Sequence, residues 1–126
     1  MTHPHHISIV DDDESVREAA VNLFRSTGLP AVACGSAEEF LASGLMERTS
    51  CLVLDVQMPG MRGLKLQSHL ESSGRHLPIV FVTAFSDDRI RVKAMEAGAV
   101  GFLAKPFREG DLLDRVRSAL RSEHAM

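Results

Sequence analysis

The sequence predicts an α/β domain in which a five-stranded parallel sheet is flanked by five helices. Short apolar runs alternate along the chain with stretches of helical periodicity. The runs are apolar throughout, without the polar alternation of a half-exposed strand, which is typical of parallel strands covered on both faces. The 126 residues, 44% of them hydrophobic, suffice for one ordinary core. We therefore predict a single domain over residues 1–126, with its core at about residues 6–122.

Five apolar runs are expected to form the strands. They cover residues 7–10, 30–33, 51–54, 79–82 and 99–103. Because strands and helices alternate, parallel pairing with right-handed crossovers is favoured. Five strands suit the doubly wound order 2-1-3-4-5 of flavodoxin-like folds, in which the first and third strands are neighbours where the winding direction reverses.

The helices between these runs carry recognisable start and stop signals. Ser36 and Glu39 have the spacing of a capping box, and Asp87 is suited to cap the fourth helix. Three helices are expected to end at Gly28, Gly74 and Gly98. The last helix should turn its apolar positions inward, and these are Leu112, Leu113, Val116 and Leu120.

Polar residues follow four of the five predicted strands. Asp11 and Asp12 come after the first strand, and Asp55 after the third. Thr83 ends the fourth strand, and Lys105 comes just after the fifth. Because the carboxyl ends of parallel strands meet at one edge of the sheet, we expect all five side chains in one crevice. Open α/β sheets bind their ligands at this edge, where the winding direction reverses.

Such a crevice would bring three carboxylates together. At ~4 Å and an effective dielectric constant near 20, each pair of charges costs about 4 kcal/mol. A cation that accepts oxygen ligands would relieve this repulsion, and Mg²⁺ suits such a site because it keeps waters and accepts phosphate oxygens. Asp55 then has the position of a nucleophile that forms an acyl phosphate. Lys105 would neutralise charge on the transferring phosphoryl oxygens, and Thr83 would hydrogen-bond one of them.

Composition argues against nucleic acid as the main partner. The formal net charge is −3, whereas nucleic-acid binders usually carry a basic excess. The chain has no Trp and no Tyr on which bases could stack. It also has no apolar run of the roughly 18 to 20 residues that a membrane span needs.

The remaining cysteine and histidine residues give no second site. Cys34 and Cys51 lack metal-site spacing and indicate a reducing compartment, and no signal pattern opens the chain, so a cytoplasmic location is expected. His3, His5 and His6 are interpreted as a polar lead-in to the first strand, since a chain end gives a metal no fixed geometry.

The sequence resembles the receiver domains of two-component response regulators. The motifs that carry the resemblance are IVDDD at residues 9–13, LVLDVQMPGM at 52–61, FVTA at 81–84 and GFLAKPF at 101–107. The resemblance covers about residues 6–122. The loop sequences are similar to those of the FixJ-like subfamily, whose members usually carry a LuxR-type helix-turn-helix output domain. A transcriptional output domain or partner protein is therefore implied, and the chain is either a stand-alone receiver or a piece of a longer regulator.

The resemblance implies a phosphorylation site with a Mg²⁺ cofactor. Asp55 matches the phosphoacceptor, which takes its phosphoryl group from a sensor histidine kinase. Asp12 matches the direct metal ligand and Asp11 the acid that acts through water. The backbone carbonyl of Gln57 matches a further ligand, besides Asp55 itself. The chemistry implied is self-phosphorylation and autodephosphorylation only, so no enzyme acting on a separate substrate is expected.

The resemblance also implies a switch. Thr83 matches the switch hydroxyl, Lys105 the lysine of the family motif, and Phe102 the aromatic switch residue, which turns inward when Thr83 moves toward the phosphoryl group. Ala84 matches the small residue that leaves room for phosphate. Family members often dimerise or dock partners on the face formed by the fourth helix, fifth strand and last helix, so phosphorylation-dependent homodimerisation is implied.

Some positions depart from the family pattern or exceed it. Asp13 and Glu14 go beyond the necessary acidic pair and are interpreted as helix N-terminal charges. Phe102 stands in place of a tyrosine and lacks its hydroxyl. Phe85 lies two residues past Thr83, and our hypothesis is that it limits water access together with Gln57 and so sets the phosphoryl lifetime.

Three other functions fit part of the pattern. A Mg²⁺-dependent phosphatase with an aspartate nucleophile shares the chemistry, but it would present that nucleophile after the first strand and would need a cap for its substrate. A flavin-binding electron carrier of the same fold needs a hydroxyl- and Gly-rich loop where this chain has acids. A receiver used only as a binding module is disfavoured by the complete set of acids, Thr83 and Lys105.

Overall fold

The computed structural model describes residues 6–58, 60–74, 76–84 and 87–124. Strands and helices alternate along the chain as predicted. The strands are β1 (Ile7–Val10), β2 (Ala31–Cys34), β3 (Cys51–Asp55), β4 (Ile79–Thr83) and β5 (Gly101–Ala104). The helices are α1 (Glu14–Ser26), α2 (Ala37–Ser43), α3 (Gly63–Ser72), α4 (Asp88–Glu96) and α5 (Glu109–His124).

The strands form one parallel sheet in the order β2-β1-β3-β4-β5. This confirms the predicted doubly wound topology. β1 and β3 are neighbours, with Val10 opposite Leu54 in the register. The residues that follow these two partners, Asp11 and Asp55, therefore leave the sheet side by side.

Two apolar layers bury the two faces of the sheet. One layer packs α2, α3 and α4 against side chains such as Leu52, Leu54 and Phe81. The other packs α1 and α5 against side chains such as Val53 and Val82. Because neighbouring residues of one strand point to opposite layers, the strands had to be apolar throughout, as the sequence pattern indicated.

The ends of several elements differ slightly from the prediction. β5 begins at Gly101 and not at Ala99, because the Ala99 N–H donates to the Ala94 carbonyl and closes the end of α4. Gly98 supplies the positive φ of 105° for this turn. A short 3-10 helix, Leu45–Glu47, was not predicted.

The predicted capping box at the start of α2 forms in part. The Ser36 hydroxyl accepts the Glu39 N–H at 3.0 Å, as expected. The Glu39 carboxylate accepts the Gly35 N–H at 2.9 Å. The reciprocal bond of the box therefore reaches one residue further back than the motif predicts.

Candidate functional site

The carboxyl ends of β1, β3, β4 and β5 place the predicted site residues along one edge of the sheet. Asp55 pairs with Val82 of β4, and Thr83 pairs with Ala104 of β5. The Lys105 N–H donates to the Thr83 carbonyl at 2.7 Å, which continues the ladder past the end of β5. The strand register thus draws together residues separated by up to 94 positions in the sequence.

Three carboxylates form the centre of the site. Asp11, Asp12 and Asp55 each offer an oxygen, and these oxygens lie within 4.8 Å of one another. Asp11 is fully buried and Asp55 is 4% exposed, whereas Asp12 is exposed. The cluster therefore has two oxygens at the floor of the crevice and one at its solvent side.

Lys105 supplies positive charge to this cluster. Its ammonium lies 2.8 Å from Asp11 Oδ2 and 3.6 Å from Asp55 Oδ2. Burial lowers the pKa of Lys105, but the hydrogen bond from its ammonium to Asp11 and the charges of Asp11 and Asp55 together raise it above the ordinary value. Lys105 is therefore a cation at any pH at which the site would work.

The carboxyl group of Asp55 is harder to ionise than that of an ordinary aspartate. Burial is the largest cause and the charge of Asp11 the second, and the pKa of Asp55 is raised to about 6 against the opposing effect of Lys105. The Gln57 N–H donates to Asp55 Oδ1 at 3.2 Å and favours the ionised form. Above that pKa, Asp55 is an anion in a crevice with surplus negative charge.

Asp11 is held in place by hydrogen bonds of both its side chain and its backbone. Its Oδ1 accepts the Asp13 N–H at 2.9 Å, and its backbone N–H donates to the Cys34 carbonyl at 3.2 Å. The Arg17 guanidinium donates to the Asp11 carbonyl oxygen at 2.9 Å. Arg17 was missed by the sequence interpretation. Its only signal there is a basic residue one turn into α1, which is common on exposed helix faces.

Asp13 does not face the acid cluster as a ligand would. It caps α1, because its Oδ1 accepts both the backbone N–H of Ser15 at 2.9 Å and the Ser15 hydroxyl at 2.7 Å. These bonds lower its pKa. Glu14 lies in the first turn of the same helix. Both acids are thus the helix N-terminal charges that the sequence predicted.

The predicted switch residues lie on the two strands at the far side of the site. Thr83 is fully buried at the end of β4. Phe102 on β5 is half-buried and packs beside Phe81, with ring centroids 6.2 Å apart. Ala84 is exposed at the rim. Phe85, for which we predicted a role in water access, lies outside the described residues, as do His3 and His5.

The residues present fit a divalent metal ion. Asp11, Asp12 and Asp55 provide only oxygen ligands, and one side of the cluster opens to solvent, where waters and a phosphate oxygen can complete the shell. The charge balance is a second mark of fit, because one ammonium, that of Lys105, lies beside the two buried carboxylates of Asp11 and Asp55.

The family of the chain follows from comparison with known proteins. The family model described as the response regulator receiver domain matches residues 7–117. This chain is a response regulator receiver domain. Nodulation protein W of Bradyrhizobium diazoefficiens is 50% identical to it over 113 residues, which are 90% of this chain and 50% of that protein.

Two further proteins, a FixJ regulator and a solved response regulator, are similar to this receiver domain. The transcriptional regulatory protein FixJ of Azorhizobium caulinodans is 38% identical over 114 residues, covering 90% of this chain and 54% of FixJ. The structure of the response regulator StyR superposes with a TM-score of 0.87 at 44% identity, covering 94% of this chain and 60% of StyR. The receiver domain thus spans about half the length of the curated relatives it matches. None of its described helices is long and apolar enough to cross a membrane.

Proposed function

We propose that this receiver domain is a phosphoacceptor switch that takes a phosphoryl group onto Asp55 from a sensor histidine kinase. One observation carries the proposal: the Asp55 carboxylate lies in a crevice with Asp11, Asp12 and the Lys105 ammonium. This arrangement combines a nucleophile, a set of metal ligands and a cation. No ordinary structural need would gather three acids at this edge of the sheet.

The proposed transfer replaces one bond to phosphorus by another. A carboxylate oxygen of Asp55 attacks the phosphorus of the donor's phosphohistidine and forms a P–O bond. The P–N bond breaks, and its electron pair returns to the imidazole, which then takes a proton from water. The product is an acyl phosphate on Asp55, and hydrolysis of that bond by water resets the switch.

Each residue of the site has a role in this step. The Gln57 N–H, which donates to Asp55 Oδ1, orients the carboxylate and leaves Oδ2 on the side of Lys105. Lys105 would move from Asp11 and Asp55 to a phosphoryl oxygen and neutralise its charge. The Thr83 hydroxyl would donate to another phosphoryl oxygen.

Mg²⁺ is the proposed cofactor. Asp12 and Asp55 would hold it directly, Asp11 through water, and the Gln57 backbone carbonyl would complete the protein ligands. When bound, the metal neutralises charge on the transferring phosphoryl oxygens. By its charge it would also favour the ionised, nucleophilic form of Asp55 over the protonated form that burial favours.

The switch would be a shift between two populations. Movement of Thr83 toward the phosphoryl group would open space for Phe102 to turn inward from its half-buried position. Phe102 lies on β5, next to α4 and α5 at the face where family members dimerise or dock partners. A homodimer formed on phosphorylation would use this face.

The partners and location are inferred from the family and from the matched lengths. Because the relatives are about twice as long as this receiver domain, we infer a transcriptional output, in a longer chain or in a partner protein. The receiver domain itself would not contact nucleic acid, would act on no separate substrate, and would work in the cytoplasm.

The decisive experiment is phosphorylation by a small donor. The wild-type chain, incubated with Mg²⁺ and acetyl phosphate, should gain the mass of one phosphoryl group in intact-protein mass spectrometry. Asp55→Asn should gain none. Asp13→Asn is the matched control, because it changes a neighbouring acid that caps α1 and should label like the wild type. Labelling that survives in Asp55→Asn would refute the site.

A further inference from the structure

A buried side-chain amide connects α3 to α4. The Nε2 group of Gln67 on α3 donates to the Ala94 carbonyl of α4 at 3.1 Å, and Gln67 is 5% exposed. A buried amide is unfavourable unless it is hydrogen-bonded. This bond therefore fixes where the two helices lie relative to each other, because any displacement of Ala94 would leave the Gln67 donor without that acceptor.

The bond is made at the one buried position of α4, whose Ile90 is partly buried against the same core. Ala94 is the one buried residue among those of α4. Its carbonyl oxygen also accepts the Ala99 N–H at 3.0 Å, in the turn that leads to β5. Gln67 thus holds α4 at its C-terminal end, at the point where the chain enters the strand that carries Phe102.

The other end of α3 rests on the backbone of the phosphoacceptor. The Gly63 N–H donates to the Val56 carbonyl at 3.1 Å. A Cβ atom at Gly63 would overlap the Asp55 carbonyl oxygen, so only glycine fits there. α3 therefore begins in direct contact with the end of β3, and one turn later it presents Gln67 to α4.

We propose that Gln67 is a positioning residue that holds α4 against α3 and couples α4, through α3, to the state of Asp55. The proposal rests on the proposed phosphorylation of Asp55. It adds a second route from the site to the α4 face, parallel to the one through Thr83 and Phe102. Because α3 contacts the Asp55 backbone at one end and holds α4 through Gln67 at the other, a shift of α3 on phosphorylation would be transmitted to α4.

Removal of the bond should loosen α4 before any phosphorylation. The net contribution of one hydrogen bond changes the equilibrium between the closed and the locally open helix by roughly a factor of five. Gln67→Met keeps the length and approximate volume of the side chain but cannot donate. In this variant the amides that directly follow α4, at residues 97–99, should exchange with solvent deuterium about fivefold faster than in the wild type.

The experiment compares hydrogen exchange in the full chain with and without Mg²⁺ and acetyl phosphate. The wild type should change its α4 exchange on phosphorylation, and Gln67→Met should show less than about half of that change, because α4 is no longer tied to α3. Ser68→Ala, an exposed neighbour on α3, is the matched control and should behave as the wild type. Peptides of α5 report global stability and separate the response of α4 to phosphorylation from a general loss of stability.

Two results would overturn the proposal. They are equal donor-free exchange of α4 in Gln67→Met and the wild type, and an equal phosphorylation response of α4 in both. Gln67→Leu repeats the test with a second apolar side chain, and a wild-type phosphorylation response in that variant would also overturn the proposal. A wild type that gains no phosphoryl mass would refute the proposed function, while donor-free exchange would still decide whether Gln67 holds α4.

Discussion

α4 and α5 both cover the sheet beside β5, but they are anchored to very different degrees. α5 buries Leu112, Val116, Ala119 and Leu120. α4 buries Ala94 alone and leaves Val92 43% and Met95 41% exposed. The apolar burial that stabilises a helix is thus concentrated in α5, while α4 contributes only Ala94 and the partly buried Ile90 to the core. This difference indicates that α4, rather than α5, can move without loss of the fold.

Leu112→Ala should produce the largest effect. Leu112 is fully buried between α5 and the sheet, and truncation of such a leucine costs about 3 kcal/mol through lost burial and the cavity left behind. Urea denaturation should show this loss in the free energy of unfolding. Val92→Ala on α4 should cost less than about 0.5 kcal/mol. Equal losses in the two variants would contradict the comparison.

The second-largest effect is expected at the acidic site, where the buried Asp55 carboxylate lowers the free energy of unfolding. The pKa of Asp55 is raised from 3.8 to about 6 by burial and by Asp11, so the folded state holds its proton more tightly than the unfolded state. The contribution of Asp55 to stability is therefore fully present below about pH 4 and is lost as the pH rises through about 6. Asp55→Asn should gain about 1–2 kcal/mol at pH 8 and almost nothing at pH 4.

Thermal unfolding at pH 4 and pH 8, without Mg²⁺, measures this difference. Asp114→Asn, at an exposed position on α5, serves as the control and should show no comparable gain. A gain for Asp55→Asn that is the same at both pH values would mean that a cause other than ionisation is responsible. Addition of Mg²⁺ should stabilise the wild type more than Asp55→Asn, because the ion binds the folded state through the carboxylate.

The smallest effect concerns the start of α4. Asp87 caps this helix by accepting the Arg89 N–H at 2.9 Å. Asp87→Ala should weaken α4 by about 1 kcal/mol. Because α4 is weakly anchored, the loss should appear as faster hydrogen exchange within α4, whose local opening breaks this cap. Asp87→Ser keeps a cap and should restore slow exchange; unchanged exchange within α4 in Asp87→Ala would contradict the capping role.

The sequence was sufficient to predict the sheet and the residues at its edge. The apolar runs identified the strands, and parallel order alone brings Asp11, Asp55, Thr83 and Lys105 to one edge, since every strand ends there. This inference needs only the type and order of the helices and strands, which local sequence patterns predict. The short 3-10 helix and the start of β5 depended on turn hydrogen bonds that periodicity does not describe.

Contacts between helices were beyond the sequence. The bond from Gln67 to Ala94, the Arg17 contact with the Asp11 carbonyl and the overlap that excludes a side chain at Gly63 depend on how each helix is rotated and placed. A glutamine within an amphipathic helix is usually at the surface, so its burial gives no signal in the pattern. These contacts come from tertiary packing, which no local rule determines.

The position of Lys105 has a consequence for how the domain is made in the cell. Its ammonium bridges Asp11 and Asp55 from within the same chain. A newly synthesised molecule can therefore close its acidic crevice before it meets any metal, unlike domains whose folding waits for zinc. Under the proposed function, metal supply would govern when Asp55 can be phosphorylated, while folding itself would not wait for the metal.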